Sequence, residues 1–141
     1  MRIGSRFAIG VHVLSLLALD DPSERTSEWM AGSVGVNPVI IRNVVGQLRR
    51  AGLVHTRQGA PGAQLARPLR EVTLLDVYRA VEVDGELFAI HPRPNPECTV
   101  GANIQDTLEQ AFGEAQRAME DRLGAVTLAD IVQDLGILPA I

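Results

Sequence analysis

Apolar residues fill positions 7–19 on nearly every side of a helical projection, which predicts a buried helix over residues 5–19 that Asp20, Asp21, Pro22 and Ser23 bring to an end. A second helix is predicted to begin after Thr26 or Ser27 as N-cap. Glu28 suits its positive end, Trp29, Met30 and Val34 form an inner face, and Gly35 turns the chain. The third helix is the most legible. Asn37 is a good N-cap, Pro38 falls where its missing N–H costs nothing, and Ile41, Val44, Val45 and Leu48 repeat as a buried stripe until Ala51 and Gly52. The opposite stripe is Val39, Arg42, Asn43, Gly46, Arg49 and Arg50, and it has no carboxylate.

Two short strand-like runs, 53–57 and 64–67, flank a loop rich in Gly and Pro and read as a hairpin. Three helices and a hairpin in this order make a winged helix-turn-helix; the alternative is a plain α+β fold whose hairpin only closes the core. Capping-box patterns at Thr73–Asp76 and Thr127–Asp130 are each expected to open a short helix. A loop at 91–97 is kept extended by Pro92, Pro94 and Pro96. Beyond it a long helix is predicted over 100–123, with Ile104, Leu108, Ala111, Phe112, Ala115 and Met119 in one apolar stripe. A stripe of that length requires cover, either from the first helix or from the same helix of a second subunit.

The expected class is therefore mostly α with a small β-hairpin. A winged helix-turn-helix DNA-binding domain occupies residues 1–83, and a dimerisation and sensing region with the long C-terminal helix occupies 84–141. The run at 7–19 resembles a signal peptide, but His12 interrupts it, no small-x-small site follows, and it is too short to span a bilayer. A cytoplasmic protein without a membrane partner is the expectation.

Charge sharpens the picture. The protein carries −4 overall, yet residues 1–70 hold nine arginines against four carboxylates and residues 71–141 hold four against thirteen. A local basic patch in an acidic chain points to a polyanion, and with the helix order and the hairpin the expected partner is double-stranded DNA. On the third helix Arg42 can bond a guanine edge, Asn43 can pair with adenine, and Val39 can meet a thymine methyl, while Arg49 and Arg50 hold phosphates. In the hairpin loop, Arg57 and Gln58 are candidates for a groove or phosphate contact. A two-fold protein axis would match a palindromic operator.

Enzymatic chemistry finds no support. His12, His55 and His91 fall in no metal-ligand or triad spacing, and no glycine-rich phosphate loop follows a strand. The single cysteine, Cys98, excludes an internal disulfide. Its place at the start of the long helix favours a thiolate, which makes it a candidate redox sensor, while Glu97 opposes that and simple packing is the alternative.

The chain resembles the Rrf2 family of winged-helix transcriptional regulators. The resemblance rests on Ser5-Arg6-Phe7-Ala8-Ile9, on Leu48-Arg49-Arg50-Ala51-Gly52-Leu53-Val54, and on Leu65-Ala66-Arg67-Pro68 followed by Val72-Thr73-Leu74-Leu75-Asp76-Val77. It implies a homodimer clasped by the long helix, with DNA contacts from Asn37, Val39, Arg42 and Asn43 and from Arg57 and Gln58. Many members hold an iron–sulfur cluster through three cysteines. With Cys98 alone this chain looks like a cluster-free branch that carries no cofactor and signals through a reactive thiol. The function expected is a homodimeric repressor answering redox state. The alternatives are a small-ligand sensor of the same fold and a protein-interaction module without specific DNA binding.

Overall fold

The computed structural model describes residues 4–19, 26–56, 62–82 and 87–137. Helices α1 (Arg6–Leu17), α2 (Ser27–Val34) and α3 (Pro38–Arg50) are followed by strands β1 (Val54–Thr56) and β2 (Ala63–Leu65). Then come a 3-10 turn at Leu69–Glu71 and helices α4 (Leu74–Val81), α5 (Thr99–Gly124) and α6 (Leu128–Leu135). The expected winged helix-turn-helix order is present.

Local chemistry sets most of these boundaries. The Thr26 hydroxyl accepts the Trp29 N–H at 3.1 Å, and Gly35, at φ 83°, closes α2 in the left-handed region that glycine adopts without strain. Asn37 Oδ1 accepts the Val39 N–H at 2.8 Å. At the far end of α3, Gly52 takes φ 78° and the Leu53 N–H reaches back to the Leu48 carbonyl at 3.0 Å, a Schellman ending whose two leucines are both in the core. The strands pair antiparallel with Val54 opposite Leu65 and Thr56 opposite Ala63, so β2 starts one residue earlier than its sequence pattern suggests.

The core is built around α1, where Val13 and Leu14 are fully buried against Ile41, Val44 and Leu48 of α3 and Val77 and Val81 of α4. Burying a side chain of this size contributes about 1.5–3 kcal/mol. Gly10 lets α1 approach α4: a Cβ there would lie 3.0 Å from Val77 Cγ1. Trp29 departs from the expected inner face and is 40% exposed, because Met30 and Ala31 take the core positions of this short helix.

Both capping boxes form. Thr73 and Thr127 also pair with each other as an isolated antiparallel bridge, in which the Leu74 N–H donates to the Val126 carbonyl at 2.9 Å and the Leu128 N–H to the Val72 carbonyl at 2.8 Å. This bridge returns α6 to the winged unit, where Leu128 and Val132 are buried. The sequence boundary at 83/84 lies outside the described residues, and the core draws on residues from both sides of it. Helix α5 is different. It runs for 26 residues without one buried side chain, resting on α4 through Arg79 and Glu120, 3.9 Å apart, and through Gly124 beside Leu75.

Candidate nucleic-acid interface

Helix α3 is polarised as its sequence requires. Ile41, Val44 and Leu48 are at 0% exposure, whereas Val39 is 52% exposed and Arg42, Asn43, Arg49 and Arg50 all face solvent. With α2 before it, α3 stands as the second helix of a helix-turn-helix and presents a cationic, amide-bearing surface.

Three features correct or extend the sequence reading of this face. First, it is not free of carboxylate: Arg42 Nη2 donates to Glu28 Oε1 at 3.0 Å, a pairing between α3 and the first turn of α2. Backbone hydrogen bonding at Glu28, followed by the Arg42 guanidinium, holds this carboxyl below its ordinary pKa. Second, Asn37 engages its side-chain oxygen in the helix cap, which leaves its two amide N–H donors and one oxygen lone pair for another partner. Third, Arg6 at the start of α1 reaches the same face and donates from Nη1 to Gln47 Oε1 at 2.9 Å. The sequence offered no signal for this contact, since 41 residues separate the pair.

Arg57 and Gln58 lie outside the described residues. Arg67 is committed elsewhere, to the Glu71 carbonyl and, at 3.9 Å, to Asp76. His12 is half-buried and shares a 3.0 Å hydrogen bond with Ser33 Oγ that ties α1 to α2, so it is satisfied within the fold.

On α5, Ile104, Leu108, Phe112 and Met119 are half-buried, and Ala111 and Ala115 are exposed. Phe112 stacks on Phe88, with centroids 4.8 Å apart. Beside this pair is a cavity of about 480 Å³, lined in part by Ile90, His91, Gln105 and Glu109. Cys98 is the exposed N-cap residue of α5. The backbone N–H of Gly101, then that of Val100, lowers its thiol pKa. Gly101 has a further role: a Cβ there would collide with the Asn95 backbone, whose carbonyl accepts the Cys98 N–H. Among the described residues no group of three potential metal ligands comes together, and one cysteine per chain cannot supply the three thiolates of a cluster. The donor set therefore does not fit an iron–sulfur group held by one subunit. No helix among the described residues is long and apolar enough to cross a membrane.

Comparison with known proteins agrees with this geometry. Residues 3–134 match the Rrf2 family model, described as iron-dependent transcriptional regulator. The chain is 43% identical over 133 residues to YwnA of Bacillus subtilis (strain 168), a protein named as an HTH-type transcriptional regulator, covering 94% of this chain and 98% of that one. A crystal structure described as a DNA-binding protein superposes with a TM-score of 0.76 at 38% identity, covering 90% of this chain and 98% of the other. A transcriptional regulator from Lactobacillus plantarum gives 0.76 at 28% identity, covering 94% and 91%.

Proposed function

The chain belongs to the Rrf2 family of transcriptional regulators, and on that premise we propose that it is a sequence-specific DNA-binding homodimer that represses transcription and answers redox state through Cys98. The observation that carries DNA binding is the polarity of α3: a fully buried stripe on one side, and Val39, Arg42, Asn43, Arg49 and Arg50 exposed on the other. Arg42 and Asn43 have the donors and acceptors that distinguish base edges, and Arg49 and Arg50 supply charge to the backbone.

Dimerisation is supported by α5, whose apolar stripe finds no complete cover among the described residues of its own chain. Two copies joined along it would set two α3 helices on one two-fold axis, the arrangement that reads a palindrome. Cys98 begins that same helix, so oxidation of its thiolate to a sulfenic acid, or to a disulfide between subunits, would alter α5 at its root and with it the spacing of the reading helices. The redox reading needs no cofactor.

The test is binding to a duplex of the gene's own upstream sequence, with and without mild peroxide. Strong salt dependence, preference over unrelated DNA and an oxidant response absent from Cys98→Ser support the proposal; salt-independent or sequence-blind binding removes it. The cavity beside Phe88 and Phe112 favours a second reading, a small-ligand sensor of the same fold, in which the oxidant response of Cys98→Ser equals that of the wild type.

A further inference from the structure

We propose that the hollow between Arg6 of α1 and the second half of α3 seats one DNA backbone phosphate, with Arg6 as its clamp and Gln47 as the residue that positions Arg6. The hollow measures about 320 Å³, and its walls include Arg6, Asn43, Gln47, Arg49 and Arg50. Arg42 completes the wall and keeps its Glu28 partner 3.0 Å away, but among the described residues no carboxylate lines the hollow itself. Gly46 also lines it, and a Cβ there would make only ordinary contact, at 3.5 Å, with Arg50 Nη1. A concave surface walled by guanidinium forks and amide groups suits a tetrahedral monoanion, because Arg donates two parallel N–H bonds to phosphate oxygens and remains charged at all relevant pH.

The position of Arg6 follows from a chain of hydrogen bonds. Gln47 Nε2 donates to the Val81 carbonyl at the end of α4, at 3.4 Å, which turns its amide oxygen outward. That oxygen accepts Arg6 Nη1 at 2.9 Å. The end of α4 thus fixes Gln47, and Gln47 holds an arginine that the sequence places far from the reading helix. Arg6 still has four other N–H donors, enough for a bidentate phosphate contact. A phosphate seated there lies at the edge of α3 opposite its N-terminus, and it would fix how deeply and in what register the helix enters the groove.

The inference rests on the DNA-binding reading, and the experiment separates the two. The full-length protein is titrated with its own upstream duplex across a salt series, as wild type, Arg6→Gln and Gln47→Leu. Arg6→Gln is expected to weaken binding roughly fivefold at physiological salt, equally on cognate and unrelated duplexes, and to reduce the slope of log affinity against log salt by about 0.9 per subunit, or about 1.8 for the dimer. Gln47→Leu is expected to give a smaller loss and to add nothing when combined with Arg6→Gln. Single methylphosphonate linkages then locate the contact, since one neutral linkage per half-site should reproduce the Arg6→Gln loss and make the two proteins bind alike. A wild type without affinity for DNA refutes the DNA-binding reading itself. Normal wild-type binding with an unchanged salt slope in Arg6→Gln overturns the seat alone, as does a loss confined to cognate sequence or the lack of any linkage that cancels the difference.

Discussion

Glu28 Oε1 lies 3.0 Å from Arg42 Nη2, so the arginine at the centre of the reading face is already held by the preceding helix. Both side chains are more than half exposed, and a pair of this kind adds little to stability. Its effect falls on orientation: one nitrogen is occupied while the rest of the guanidinium faces outward. Arg42→Ala should cost about 1–3 kcal/mol of discrimination at one operator position. Glu28→Gln should lose part of that discrimination while raising affinity for unrelated DNA, because the freed guanidinium can take any phosphate. Competition assays with single-base operator variants measure both; equal losses on every variant would remove Arg42 from the groove.

The pairing also has an acid limit. Glu28 has a folded pKa below its unfolded value, so whatever the pair contributes is present above the unfolded carboxyl pKa and is lost as pH falls through the folded one. Operator discrimination should therefore hold through neutral pH and decline only in distinctly acid buffer, with Glu28→Gln insensitive over that range. A decline beginning near neutrality would assign the effect to another group.

For α5, a charge placed within the apolar stripe should separate the subunits. Leu108→Glu or Ala115→Glu buries a carboxylate at a shared face without a partner, so dimer and palindrome binding should disappear together, while helicity, measured by circular dichroism, stays near wild type. Sedimentation equilibrium reports the first effect. A dimer that survives both substitutions, or a monomeric wild type, would contradict the shared face.

Cys98 should alkylate with a pH midpoint below that of an ordinary thiol, about 8.5, since the N–H groups of Gly101 and Val100 favour the thiolate. The folded pKa is depressed, so the associated stability is present above the unfolded thiol pKa and fades as pH falls through the folded one. Iodoacetamide kinetics against pH, on native and urea-unfolded protein, give the two midpoints, and coincident values would refute the prediction.

Gly101→Ala provides a structural counterpart. Its methyl group would occupy the place of the Asn95 backbone, so the turn carrying Glu97 and Cys98 must move. Overpacking of this kind costs about 1–3 kcal/mol. The thiol midpoint should rise toward the ordinary value in the same variant. An unchanged melting temperature and midpoint would show that the turn yields freely.

What the sequence revealed here was local. Asn37 with Pro38, the two Thr-x-x-Asp boxes and the Ile41–Val44–Leu48 spacing encode their own geometry within a turn or two, and the structure follows them. The contacts that complete the interface depend on how helices cross. Glu28 meets Arg42 only because α2 turns into α3, and Arg6 meets Gln47 only after α1 has packed on α3. The same limit applies to Thr73 and Thr127. Their matching patterns were visible as two separate helix starts, but the bridge between them is a tertiary fact.

That bridge has an engineering consequence. Among the described residues the core cluster passes directly from Val81 to Leu128, so none of those between them fills it. Val126 hydrogen-bonds to the first residue of α4, and α4 has eight residues, so the two ends of the intervening excursion are about 12 Å apart. A linker of about five residues can span that gap. Replacing residues 83–125 with such a linker should leave a miniature reader: a monomeric half-site binder, blind to oxidant, that can be fused to any other dimerising helix and given a new operator spacing.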